Sequence, residues 1–223
     1  MTGRHDTERL LVAVLASAGF AAGVVALTTA ASAASRPSVR VSHACYQLAQ
    51  KGTVHGSGFD PSAHWTAKLD GKAFGNGTTS SAGTITANFG VPSHLRKGST
   101  GEDSYKLVVR EGKHSASATF LVTHLSASFS PAGGNLSTLK VSFSLLGWGR
   151  GGTLYLHYVN PNGTVRLTRA LGSAGGACGH LVTSLEKLFP FTPTVGKWTL
   201  QFDKNPSYRA ITVPRVGIRY KIS

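Results

Sequence analysis

The sequence predicts an all-β protein: two β-sandwiches in tandem after an N-terminal signal peptide. Three observations carry this. Short runs of β-branched and aromatic residues recur between Gly, Pro, Asn and Asp turns through most of the chain. No long amphipathic helix pattern interrupts them. The first thirty-odd residues are of a different kind, with a charged start, an apolar middle and a small-residue exit.

The leader comes first. Met1–Leu10 carries Arg4 and Arg9, Leu11–Leu27 holds no charge, and Ala31-Ser32-Ala33 has the small-x-small pattern of a cleavage site. Cleavage there makes 1–33 a signal peptide and starts the mature chain at Ala34. The alternative is an uncleaved anchor, because an apolar run of about 17–20 residues lies near the lower limit for spanning a bilayer. Ser17, Gly19 and Gly23 weaken such a span, and Asp6 and Glu8 offset the two arginines. Membrane attachment is therefore expected only if the leader is retained.

The first sandwich is expected over 34–124. Val39-Arg40-Val41 alternates and opens it, and Gly52–Gly56 is the second strand. His64–Leu69 is the third and ends at the tight-turn pair Asp70-Gly71. A weak strand lies near Phe74–Thr79, and Thr84–Phe89 alternates into Val91-Pro92. Tyr105–Val109 turns at Glu111-Gly112 and returns as Ala116–Val122.

The second sandwich is expected over 125–223. Ser126–Pro131 opens it and Lys140–Leu145 alternates cleanly. Leu154–Val159 and Thr164–Leu167 flank Asn160-Pro161-Asn162-Gly163, the strongest hairpin signal in the chain. Gly179–Ser184 leads into Lys187–Phe191. Gly196–Asp203 puts Trp198, Leu200 and Phe202 on one face, and Ile218–Ile222 is the last strand.

Gly56-Ser57-Gly58-Phe59-Asp60-Pro61, then Asp70-Gly71, Ala82-Gly83-Thr84 and Val91-Pro92, resemble the immunoglobulin-like repeats of exported bacterial surface proteins, the IPT/TIG type. The resemblance implies immunoglobulin-like sandwiches, used mostly as spacers, stalks and binding modules. The segments around Ala177-Cys178-Gly179 and Trp198–Asp203 are similar to the C-terminal part of secreted actinobacterial proteins, a likeness that implies no activity.

Charge bounds the partners. The leader holds two basic and two acidic residues, so the net charge of +14 belongs to the remaining chain. Lys and Arg occur singly and are not interleaved with a nucleic-acid-binding motif, so no nucleic-acid partner is expected. Outside the cytoplasm such a chain meets anionic envelope polymers, or an extracellular protein, and adheres electrostatically. A basic surface that serves only solubility is the plainer alternative.

Cys45 and Cys178 fall in different predicted sandwiches. In an oxidising compartment they form a disulfide stapling the two, or remain two buried thiols. Trp148 sits among glycines in Leu146–Gly152, next to Arg150. It is either a core plug or an exposed platform for a sugar or partner, with Arg150 beside it.

No catalytic constellation is recognised. Asp60 and Asp70 fall in turns, Glu102-Asp103 in a loop, Glu111 at a hairpin tip, and Asp203 is expected to pair with an Arg. Cys178 and His180 share a strand face but have no third member, so a structural Cys is the better reading. His43, His55, His64, His94, His114, His124, His157 and His180 lack the spacing of a closed zinc site and read as solvent-facing. No metal and no cofactor are expected. The sequence thus points to a non-catalytic, secreted or cell-surface protein that adheres to or spaces something from the envelope. A glycan- or ligand-binding module using Trp148 is the alternative, and an envelope hydrolase a remote one.

Overall fold

The structure, a computed structural model, describes residues 36–223. The expected signal peptide lies outside them. Sixteen strands make up these described residues, and no helix among them is long and apolar enough to cross a membrane. The all-β expectation is met.

The N-terminal half holds β1 (Ser38–Val41), β2 (Cys45–Gln47), β3 (Lys51–Ser57), β4 (His64–Leu69), β5 (Lys72–Thr78), β6 (Ile85–Gly90), β7 (Glu102–Glu111) and β8 (His114–Thr123). They form a three-stranded sheet, β1-β3-β6, and a five-stranded sheet, β2-β8-β7-β4-β5. Alternation along each strand sends one set of side chains inward. Val54, Ile85 and Phe89 from the first sheet meet Tyr46, Trp65, Leu107, Val109, Phe120 and Val122 from the second. Glycine shapes one contact here. Trp65 lies opposite Gly77 of β5, and a Cβ there would approach the indole to 3.1 Å. The ring covers a strand position that carries no side chain of its own.

The C-terminal half holds β9 (Ser126–Ser130), β10 (Lys140–Leu146), β11 (Thr153–Val159), β12 (Val165–Ser173), β13 (Leu181–Val182), β14 (Glu186–Lys187), β15 (Gly196–Asp203) and β16 (Val216–Ile222). β10 pairs with β9, β13 and β14; the facing sheet runs β12-β11-β15-β16. Between them lies a second cluster, with Val141, Phe143, Leu145, Leu156, Tyr158, Trp198, Leu200 and Phe202 among its members, and it shares no residue with the first. The predicted hairpin is present. Asn160 closes it, its side-chain oxygen accepting from the N–H groups of Asn162 and Thr164 at 3.0 and 2.9 Å.

Some expected elements differ. Glu102 and Asp103 open β7 instead of lying in a loop. Lys187–Phe191 is not a strand beyond Lys187. Pro190 has no N–H to donate, and Phe189 and Phe191 turn into the core instead. At the rim of this sandwich Arg169 of β12 pairs with Glu186 of β14, joining the two sheets across their open edge.

Candidate functional site

Four arrangements carry polar chemistry: the junction between the halves, a buried network on the outer face of the C-terminal sheet, the basic sheet faces, and a cluster of Asp60, Glu111 and His114.

The junction is built by the Gly-rich loop. Trp148 and Gly149 donate backbone N–H groups to the carbonyls of Gly179 and Cys178 at 3.2 and 3.0 Å. Gly179, at φ 73°, passes so close to Gly149 that a Cβ would lie 2.2 Å from its oxygen. This zipper holds Cys178 against Cys45, and the two are disulfide-bonded with Cα atoms 5.2 Å apart. Gln47 adds a hydrogen bond from Nε2 to the Gly147 carbonyl at 3.0 Å. With its sulfur bonded, Cys178 has no thiolate to offer, so the Cys178–His180 nucleophile reading falls.

Trp148 is 3% exposed and belongs to the C-terminal core. Its Nε1–H donates to the Ser126 carbonyl at 3.1 Å. The contact-platform reading is corrected: the indole offers no free face to a ligand, because it plugs the core beneath the loop that carries Cys178. Arg150 is exposed on that loop, while the indole two residues before it is buried. Lys204 caps the same loop, donating from Nζ to the carbonyls of Gly149 and Gly151 at 3.2 and 2.8 Å.

His157 corrects the expectation of solvent-facing histidines. It is fully buried, as is Asp203. Leu154, Leu156 and Tyr158 of β11 point into the core, so His157 points to the outer face. There its Nε2 lies 3.2 Å from Asp203 Oδ1 and its Nδ1 lies 2.8 Å from Thr168 Oγ1. Asp203 pairs with this histidine instead of an arginine. Its carboxylate also accepts from Gln201 Nε2 and from the Asn205 N–H, both at 2.8 Å. Gln201 reaches on to the Arg209 carbonyl at 3.0 Å, and the Tyr208 ring packs edge-on to His157. Three arms of this network, to Asn205, Tyr208 and Arg209, end on the segment 204–215 and clamp it over the sheet, while the Thr168 arm ties it to β12.

That segment and the strands beside it are basic. Trp198, Leu200 and Phe202 face inward opposite Tyr220, Ile218 and Val216. The alternate residues therefore face out: Lys197 stands directly opposite Lys221, and Thr199 opposite Arg219. All three cations are exposed, as are Arg209 and Arg215 on the clamped segment, where Ile211 and Val213 are also 83% and 86% exposed. The five-stranded sheet repeats the theme, with Lys68, Lys106 and Arg110 on its outer face among Ser115, Ser117 and Thr119.

Carboxylates do little to neutralise these faces. Of seven in the described residues, Asp70 pairs with Arg96, Glu186 with Arg169, and Asp203 is buried. Asp60 and Glu111 lie with His114 in one cluster whose ligating atoms fall within 4.8 Å of one another. No spacing in the sequence announces it, because the three residues are brought together by loop and hairpin geometry.

No protein-family model and no curated protein matches the chain. Among solved structures it is similar to β-glucuronidase from Parabacteroides merdae, at 8% identity and a TM-score of 0.31, covering 84% of this chain and 24% of that one. It is also similar to a tetra-tandem repeat from the extending region of a large adhesion protein, at 15% identity and a TM-score of 0.28, covering 82% and 47%. A domain of a biofilm-associated protein aligns at 17% identity and a TM-score of 0.24, covering 74% and 26%. The chain thus spans less than half the length of these proteins. At this level of likeness, fold and function both rest on the chain's own residues.

Proposed function

We propose that this is a non-catalytic, exported protein that adheres to anionic polymers of the cell envelope through its basic sheet faces. One observation carries the reading: Lys197 and Lys221 face each other directly across β15 and β16, with Arg219 on the same face and no carboxylate partner among the described residues. Like charges directly opposite destabilise a strand pair, so an anion seated between them relieves a cost the fold otherwise carries. The overall +14 charge and the exposed arginines of the clamped segment extend the same field. The disulfide suits the extracellular side of a membrane. A glycan platform at Trp148 has lost its basis, since the ring is buried.

The test is sedimentation with purified cell-wall polymer across a salt series. Exposed charges are screened over about 8 Å at physiological ionic strength, so binding should weaken steadily as salt rises. Reversing Lys197, Arg219 and Lys221 together to Glu should weaken binding at low salt by about tenfold or more, with the fold retained. Binding that ignores both salt and the charge reversal overturns the proposal.

A further inference from the structure

We propose that Asp60, Glu111 and His114 form a zinc site with an open, solvent-facing coordination position. The site is separate from the basic faces and does not depend on the adhesion reading.

Glu111 is the central observation. It ends β7 on the inward side of the strand, opposite Trp65 on one neighbour and His114 on the other. It is only 6% exposed. A buried carboxylate needs a cation or several good donors. Glu111 has neither: among the described residues no Lys or Arg pairs with it, and its one hydrogen bond is a long contact from the Asp60 N–H at 3.4 Å. This is in a chain where Lys and Arg outnumber Asp and Glu by 23 to 9. A fold so rich in cations nonetheless leaves its most buried unpaired carboxylate beside a second carboxylate and an imidazole.

The other two groups complete a ligand set. Asp60 Oδ2 lies 3.7 Å from His114 Nε2, and all three ligating atoms fall within 4.8 Å. Tetrahedral zinc at its usual bond lengths sets neighbouring ligand atoms about 3.4 Å apart. The closing movement required is small. It falls on Asp60 and His114, whose side chains are 65% and 45% exposed and free to turn, while buried Glu111 stays fixed. The backbone under Asp60 is braced: its carbonyl accepts from Thr79 Oγ1 at 2.5 Å, and Phe59 N–H donates to the Gly83 carbonyl at 3.2 Å. Gly83 itself sits so close to Phe59 that a Cβ would lie 2.0 Å from its oxygen. One imidazole nitrogen with two carboxylates suits zinc, whereas calcium and magnesium take oxygen donors alone. Three protein ligands leave the fourth position to water or an oxygen donor from outside.

The experiment is isothermal titration of the chelator-treated, disulfide-intact protein with Zn²⁺, with Ca²⁺ run in parallel and thermal unfolding recorded with and without each metal. We expect one saturable zinc equivalent and a raised melting temperature. Glu111→Gln and His114→Ala should each weaken zinc by more than the tenfold to hundredfold that loss of an outer-shell partner costs. Glu111→Gln keeps the side-chain shape, and His114→Ala removes an exposed ring, so one of the two reports even if the other folds poorly. His55→Ala, away from the cluster, should leave binding unchanged. No saturable zinc uptake, uptake that survives both variants, or a preference for Ca²⁺ overturns the proposal.

Discussion

Replacing Trp148 with Ala removes an indole that is 3% exposed, together with its hydrogen bond to Ser126. Truncating a buried aromatic costs about 3–5 kcal/mol, so the denaturation midpoint should fall steeply while the folded fraction keeps its affinity for anionic polymer. A variant that stays fully stable yet loses binding would restore the ligand-platform reading. Both roles for Trp148 were open in the sequence, because a Trp between glycines looks the same whether the loop folds down or stands out. The partner that decides it, Ser126, lies 22 residues earlier. His157 was hidden for the same physical reason. Its strand alternates as expected and points it outward, but the cover comes from 204–215, which periodicity along β11 cannot reveal. The cluster of Asp60, Glu111 and His114 was illegible too: two members meet across a hairpin, and the third joins from a loop 51 residues before Glu111.

Strands were more legible than sites, and their failures have causes. Alternation located β1, β6, β10 and β15, and the Asn-Gly turn located β11; their inward residues join the two cores. β2 was missed because three residues, of which only Tyr46 is buried, carry no periodicity; it exists because β8 offers it a parallel partner. β11 supplies a test at this scale. Its Tyr158 is fully buried; the hydroxyl has no partner at good hydrogen-bond geometry, although the nearby Arg169 guanidinium partly offsets its burial. Burial pushes that hydroxyl up to about 12. Removing a buried, unsatisfied polar group relieves its desolvation cost, so Tyr158→Phe should raise stability by about 1 kcal/mol. The pH dependence has a definite sign. The unfolded tyrosine ionises near pH 10 while the native one holds its proton to about 12, so the stability gained from the neutral form is complete below pH 10 and is lost as pH climbs toward 12. Chemical denaturation of the two proteins at pH 8 and pH 11 checks both points. The alkaline loss should be smaller in the Phe variant, and a variant less stable than the parent at pH 8 would reveal a partner for the hydroxyl.

At the scale of the whole molecule, the disulfide ties together elements that share no core. Cys45 belongs to β2, at the edge of the five-stranded sheet, while Cys178 sits on the segment zippered to the Trp148 loop of the other half. The bond spans 133 residues of sequence. Closing so long a loop restricts the unfolded chain, which by the chain-entropy account stabilises the protein by about 4–5 kcal/mol. Among the described residues, polar support for the junction beyond the disulfide comes from the Gln47 Nε2–H bond to the Gly147 carbonyl. Reduction should therefore leave both hydrophobic clusters formed, since each is closed by its own pair of sheets, while the link that holds the halves in register is lost. Two measurements separate these effects. Non-reducing peptide mapping should recover one cross-linked fragment joining the Cys45 and Cys178 peptides. Hydrogen exchange after reduction should speed up at 45–48, 147–149 and 177–179 well before it does at the centres of β7 and β11, with the unfolding midpoint lowered. Two freely alkylated thiols in the native protein would remove the bond. Uniform loss of protection on reduction would instead mean that neither sandwich stands without its neighbour, and that the bridge holds the fold itself as well as the geometry between its halves.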